Sequence, residues 1–342
     1  MKLYKIIPRA PFHFGERGIG QEETAVFPHS DTLFAALISA WRLMYSLEKF
    51  RRLVNGVTGL APPLCLSSAF PYIGDVCFLP RPAIPLQGAG GDRKQGKKVA
   101  YISWRQADDL INSDVPPHIR PDDTLMAGQL WFHSQEKASI EKALQSDDLS
   151  QGRPWSSAEA ETMARVTVDR VHSASALYYQ GMVYFAPGCG FYLLADIADE
   201  GYRKPLEDGL HFLSEQGLGG RRSVGLGQFT LEESGERELG VPAEEQNYHW
   251  LLSLYHPTPD EVKQQSVLQG ARYTLITRRG WIFSPDDASQ RRRGIRMLTE
   301  GSLLPKPVVG DVVNVRPVTD FPHAVWRSGL ALTVRTRRWR DA

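Results

Sequence analysis

The chain has 342 residues, 42% of them hydrophobic and 23% charged, with a formal net charge of +1. Such a chain can bury a sizeable core and is no polycation, so any nucleic-acid surface must be local, with acidic residues segregated elsewhere. Its three cysteines, Cys65, Cys77 and Cys189, lie far apart without a CxxC pair, which excludes a disulfide framework and a structural zinc and points to a reduced, cytoplasmic protein.

Residues 2–8, KLYKIIP, mix β-branched and aromatic residues and stop at proline, which predicts a first strand. No secretory leader is expected in MKLYKIIPRAPFHF, and no apolar run is long enough to predict a membrane span. Residues 30–50 form the clearest helical pattern. Leu33, Leu37, Trp41 and Met44 recur at three- and four-residue spacing with Phe34, Ile38 and Tyr45, and Ser30 or Asp31 is the expected cap. LCLSSAFPYIG and VCFLPRP (64–82) read as two strands joined at Gly74–Asp75. Residues 83–165 are polar, irregular and rich in glycine and lysine, and are expected to be an insertion with mobile parts rather than core. Three strands are predicted over 164–197, a helix over 207–220, a glycine-rich loop, and a strand at QFTLEE.

Polar residues 234–247 read as a linker. Beyond it the pattern predicts a strand at 248–257, a short helix at 259–268, a hairpin over 271–284 turning near Arg278–Arg279–Gly280, a helix at 291–305 and two closing strands. The fold expected is α+β, with two ferredoxin-like (RRM-like) domains built on antiparallel sheets. The first spans 1–237 and carries the insertion at about 83–165; the second spans 246–342. Helices on one face of the first sheet leave the other face open for binding.

The strongest motif is GLGGRRSVGLGQF, residues 217–229. Gly217, Gly219, Gly220, Gly225 and Gly227 remove Cβ at five places, so backbone N–H groups can approach a phosphate and curl into an anion nest. Arg221 and Arg222 add bidentate phosphate contacts, and Ser223 adds a hydroxyl. The alternative is a plain helix-to-strand connector. The string is not a P-loop and fits a dinucleotide fingerprint only weakly.

A second glycine-bearing segment, 12–37, places Arg17 between glycines and sets His29 and Ser30 at a helix N-terminus, where anions bind; simple capping is the alternative for that helix start. Lys94, Lys97 and Lys98 form a basic stretch suited to backbone tracking or to plain solvation, and Tyr101 and Trp104 either stack on bases or pack. Arg165 and Arg170 bracket an alternating strand, RVTVDR. The basic runs RRRGIR (291–296) and RTRRWR (335–340) read first as solvated faces. Arginine outnumbers lysine 29 to 11, which suits phosphate recognition and equally suits a GC-rich genome.

The strings FHFGERGIG…HSDTLFAAL, SSAFPYIGDVCFLPRP, GLGGRRSVGLGQF and HAVWRSGLALTV, in this order, resemble the RAMP superfamily, and within it the fourth-subunit family of type III-A CRISPR (Csm) effectors. The resemblance runs from residue 2 to about 335 and is thinnest over 83–165. It implies a non-catalytic, cofactor-free RNA-binding subunit that binds the 5′ handle of CRISPR RNA and caps the complex. Its partners would be the handle, the guide–target duplex, the large palm-domain subunit that makes cyclic oligoadenylate, and an adjacent backbone RAMP subunit, with no membrane. It also implies a thumb hairpin, sought within 83–165. A RAMP endoribonuclease using His13 or His29, and the equivalent subunit of a type III-B complex, are the alternatives. No catalytic residue and no metal-binding residue is expected.

Overall fold

The computed structural model describes residues 1–15, 24–88, 91–113, 118–144, 158–168, 175–241, 248–264, 267–282, 290–317 and 321–337; between 158 and 178 only the backbone of those residues is described. The first unit begins with β1 (Lys2–Pro8), α1 (Ser30–Met44) and α2 (Leu47–Val57), followed by β2 (Leu64–Leu66), β3 (Phe70–Ile73) and β4 (Val76–Pro80). The helical pattern expected over 30–50 is thus split. Tyr45 turns extended, and the Ser46 hydroxyl accepts from the Lys49 amide to start α2. Gly74 takes φ +55° in the β3–β4 turn, as the Gly–Asp signal requires.

Among its described residues, the region 83–165 is not the loosely structured insertion its polarity suggests. It folds into α3 (Arg93–Lys98), β5 (Tyr101–Ser103), α4 (Trp104–Asn112), β6 (Thr124–Leu125), β7 (Leu130–Trp131) and α5 (Lys137–Leu144). Its few apolar residues are spaced to converge. Ile84, Leu86, Ile102, Leu110, Ile119 and Trp131 are all buried in one cluster with Leu3 and Tyr192 of the main sheet. Each buried aliphatic side chain of this kind contributes about 1.5–3 kcal/mol. The insertion boundary at 165 also falls inside an element. The longest hairpin pairs β8 (Ala158–Val168) with β9 (Ser175–Phe185).

The first unit ends with β10 (Cys189–Ile197), α6 (Arg203–Gln216) and β11 (Phe229–Glu236). Strand order is β11-β1-β10-β3-β4-β5-β7-β6, with β2 also on β10. The inner order β11-β1-β10-β2/β3, antiparallel throughout, fits a ferredoxin-like βαββαβ arrangement. Alternation along β10 sends Phe191, Leu193 and Ala195 under α1 and α6, and sends Tyr192 and Leu194 toward the opposite side. That opposite side is not open. The insertion and the second unit cover it, and Tyr192 and Leu194 are fully buried there.

The second unit contains β12 (Tyr248–Leu251), α7 (Pro259–Lys263), β13 (Leu275–Arg278), β14 (Ile295–Leu298), β15 (Leu303–Leu304), β16 (Gly310–Asn314), β17 (Trp326–Leu330) and β18 (Thr333–Thr336). Its one helix among the described residues has five residues. Two local expectations fail here. The hairpin expected over 271–284 does not form among its described residues, 271–282, because β13 pairs with β14. Residues 291–305 hold strands β14 and β15 rather than a helix; Gly294 and Gly301 interrupt helical continuity, and Met297 and Leu298 find buried sites against β13 and Tyr255.

Candidate nucleic-acid interface

The glycine loop joins α6 to β11 and packs over residues 11–14. Gly217 (φ +86°), Gly219 (+97°) and Gly227 (+84°) occupy left-handed backbone space. Their missing side chains are filled by protein backbone. A Cβ on Gly219 would stand 2.5 Å from the His13 carbonyl oxygen, and one on Gly227 would stand 2.2 Å from that of Leu218. The amides follow the same plan. Gly220 donates to His13 at 2.8 Å, Gly227 to Pro11 at 2.8 Å, and Leu218 to Gly227 at 2.9 Å. Most of the glycines therefore close the loop on the protein, and the anion nest expected across the whole stretch contracts to its tip.

The tip is Arg221 to Gly225. Arg221 is held left-handed (φ +59°), a conformation that costs a non-glycine residue about 1–2 kcal/mol. A single 3₁₀ turn, Arg222–Val224, follows. Ser223, Val224 and Gly225 are exposed, and Arg221 and Arg222 are half-buried. Burial lowers the Arg222 pKa, and its stem lies 3.2 Å from where a Gly217 Cβ would be. Flanking residues Leu218 and Leu226 are buried and anchor the tip. Beneath sits an aromatic plug. Phe12 stacks on Phe14 at 5.4 Å and meets Phe191 edge-on at 5.2 Å, pairs worth about 0.5–1.5 kcal/mol each beyond their burial.

His13 connects the loop to the long hairpin. Its Nδ1 lies 2.8 Å from the Gly181 carbonyl of β9, while its own carbonyl accepts from Gly220. Phe12 and Val183 exchange backbone hydrogen bonds at the same joint. Loop tip, His13 and the root of the β8–β9 hairpin thus form one continuous rim. Arg9, exposed and 2.9 Å from Glu215, adds a third guanidinium beside α6. A sequence reading gives little weight to His13 and Arg9, because only the antiparallel β1–β11 pairing brings residues 9–13 beside 217–228.

Other expected site residues lie elsewhere. Ser30 is buried. Its amide donates to the Ser68 hydroxyl and its own hydroxyl accepts from Leu254, so it ties the two units together and does not present an anion site. His29 is the N-cap residue of α1, and its Nδ1 contacts Glu300 of the second unit at 2.8 Å. Asp31 caps nothing; it is buried and binds Arg278 through two 3.0 Å contacts and Arg327 through a third. The helix N-terminus proposed from sequence as an anion site is therefore filled by the second unit. Lys97 and Lys98 are exposed at the end of α3, where Lys98 runs along Gly128 within the insertion. They stand in a helix rather than a flexible stretch. Tyr101 packs edge-on against Phe27 at 5.7 Å, and Trp104 packs against the insertion core. Arg165 stands on β8, opposite Tyr178. Arg17 and Arg170 lie outside the described residues.

Buried charge at the junction is strongly polarised. Burial alone would raise the Asp31 pKa, but the guanidinium groups of Arg278 and Arg327 outweigh it and hold the carboxyl well below the usual range. Burial would lower His29, yet the Glu300 carboxylate holds its pKa above the ordinary value.

Comparison with known proteins places these features. The CRISPR Csm4 C-terminal domain family matches residues 244–336. Curated relatives described as CRISPR system Cms protein Csm4 match almost end to end. The protein of Methanocaldococcus jannaschii is 25% identical over 94% of this chain and 90% of its own length, and that of Streptococcus thermophilus is 24% identical over 95% of each. The Csm3–Csm4 subcomplex of the type III-A interference complex contains a chain of the same fold, with TM-score 0.69, 20% identity, and 99% of this chain and 100% of that one covered. A Csm1–Csm4 cassette in complex with pppApA gives TM-score 0.60 at 19% identity, over 100% and 99% of the two chains. With a first unit whose strand order fits a ferredoxin-like arrangement, a glycine loop closing on its first strand and residues 244–336 matching the Csm4 C-terminal domain family, the chain is similar to Csm4 proteins along nearly its whole length.

Proposed function

We propose that this subunit holds the 5′ handle of CRISPR RNA at the rim formed by the glycine-loop tip, His13 and the root of the β8–β9 hairpin, and caps one end of a type III-A effector. The observation that carries this reading is the glycine-loop tip, with Ser223–Gly225 exposed and the half-buried Arg221 and Arg222 beside them, mounted over an aromatic plug. A rigid guanidinium pair with a hydroxyl beside it binds phosphate at low entropic cost. The β8–β9 hairpin is the element long enough to act as the thumb against the guide–target duplex. Names of the structural relatives support docking to the large palm-domain subunit and to an adjacent backbone subunit, since those chains occur in Csm1–Csm4 and Csm3–Csm4 assemblies. The subunit acts in the cytoplasm without catalysis of its own. Among the described residues, no helix is long and apolar enough to cross a membrane.

The test is fluorescence anisotropy of a handle-bearing RNA against salt. Each phosphate contact to a single strand contributes a slope of about 0.7 in log K against log salt. Arg221→Ala with Arg222→Ala should reduce the slope by about 1.4; an unchanged slope removes both side chains from the site. Incubation with labelled repeat RNA, with and without Mg²⁺, tests the non-catalytic reading, which fails if cleavage appears and His13→Ala abolishes it.

A further inference from the structure

Residues 271–298 carry seven arginines against two aspartates, Asp286 and Asp287, which lie outside the described residues. Pairing of β13 with β14 sorts those arginines by face. Opposite positions share a face in an antiparallel pair, and the register sets Thr277 against Arg296 and Arg278 against Ile295. Arg278 therefore points inward, where it binds Asp31. The other face carries Leu275, Thr277, Arg279 and Trp281, two residues apart each time, with Arg296 opposite Thr277 and, past a register shift, Arg291 bridged to Trp281.

All six of these side chains are exposed, Trp281 at 50%. Gly294 leaves the space that the Arg279 stem occupies, since a Cβ there would meet its Cγ at 3.1 Å. Arg291 lies over the Trp281 ring at 4.7 Å from its centroid. Among the described residues, Arg279, Arg291 and Arg296 take part in no ion pair. The hairpin is firmly oriented, because Arg278 and Arg327 both reach Asp31 and Arg327 also donates to the Arg279 carbonyl at 3.1 Å.

We propose that the outward face of the β13–β14 hairpin, with Arg279, Arg291, Arg296 and Trp281, is a second RNA-contacting surface that takes single-stranded RNA through its phosphates and one stacked base. Positions two apart on a strand repeat at about 6.8 Å, which spreads the guanidinium groups along the hairpin rather than at one point. An exposed indole supplies a sequence-tolerant platform for a base, and the Arg291 plane on it adds cation–π support. A protein partner would need an apolar centre depleted of charge, whereas three of the six side chains on this face are guanidinium groups. The surface lies in the second unit and does not depend on the handle sitting at the glycine loop.

The probe is a labelled oligouridine of roughly 15 nucleotides without a handle, bound by the full chain and followed by anisotropy. Arg279→Ala/Arg291→Ala/Arg296→Ala should weaken binding at least about tenfold and lower the salt slope by about 2, while Trp281→Ala should weaken it about fivefold or more. Arg221→Ala/Arg222→Ala should keep the hairpin's share of the slope, which separates this surface from the glycine loop. Unchanged affinity and slope in the triple variant would overturn the proposal. So would a triple variant that keeps its RNA affinity but loses a protein subunit from the assembled complex. Photocrosslinking of 4-thiouridine RNA to the wild-type chain needs no variant: crosslinks within 275–296 are expected, and crosslinks confined to 217–229 refute the surface.

Discussion

Replacing Asp31 with asparagine is the sharpest test of how the two units are joined. Asp31 is fully buried, and its carboxylate serves Arg278 of β13 and Arg327 of β17 together. Asparagine keeps the shape, removes the charge and turns an amide toward a guanidinium. Both arginines are themselves buried, at 4% and 2% exposure, so neither can recover water by a rotamer change. Breaking a buried pair on one side typically costs about 3–5 kcal/mol. For domains of about 150–250 residues 1 kcal/mol moves Tm by about 2–4 °C, so the lower bound alone predicts a fall of roughly 6–12 °C. Thermal unfolding followed by circular dichroism measures it. Because the folded pKa of Asp31 is depressed, its contribution is present above about pH 3.9 and fades only as pH falls through the folded value. The difference between wild type and Asp31→Asn should therefore stay flat between about pH 6 and 8. The companion variant Asp31→Leu/Arg278→Met/Arg327→Met removes every charge of the triad and should regain much of the loss, since apolar replacement of a buried ion cluster is often neutral. A fall of under about 2 °C in Asp31→Asn would show that the triad carries little of the junction.

The remaining expectations concern the same elements. His29 and Glu300 should make stability pH-dependent: the raised His29 pKa gives a contribution complete below about pH 6.5 and lost as pH rises through its folded value, while the lowered Glu300 pKa gives one lost as pH falls below about 4.3. Glu300→Gln should flatten the alkaline side of a stability–pH curve. Gly227→Ala should destabilise far more than Gly225→Ala, because both positions are left-handed but only the first meets backbone, at 2.2 Å. Urea unfolding compares them, with about 1–2 kcal/mol expected for Gly225→Ala from conformation alone. Burial pushes the thiols of Cys77 up to about 11 and of Cys65 and Cys189 up to about 12, so iodoacetamide at pH 8 should label the native chain slowly and the urea-unfolded chain at once.

Local pattern sufficed wherever the chain's own periodicity sets the answer. Strand β1, helix α1, the Gly74 turn, helix α6 and the three strands before it follow from apolar spacing and turn chemistry, and the resulting βαββαβ order fits the sheet observed. The glycine loop as a special backbone stands out for the same reason, as five glycines and two arginines mark it without reference to anything distant.

Tertiary structure decided the rest. In the insertion, sparse apolar residues such as Ile102, Leu110 and Trp131 meet only when β5 joins the main sheet, and composition averages that signal away. Glycines 217, 219 and 227 read from sequence as a nest, yet the β1–β11 pairing brings Pro11 and His13 against them and consumes their space. Ser30, Asp31 and His29 read as a helix cap, but their partners Leu254, Arg278 and Glu300 lie more than 200 residues away in sequence. A carboxylate at a helix start is equally suited to capping and to receiving a distant guanidinium, and only the packing of α1 against β17 and β13 chooses between them.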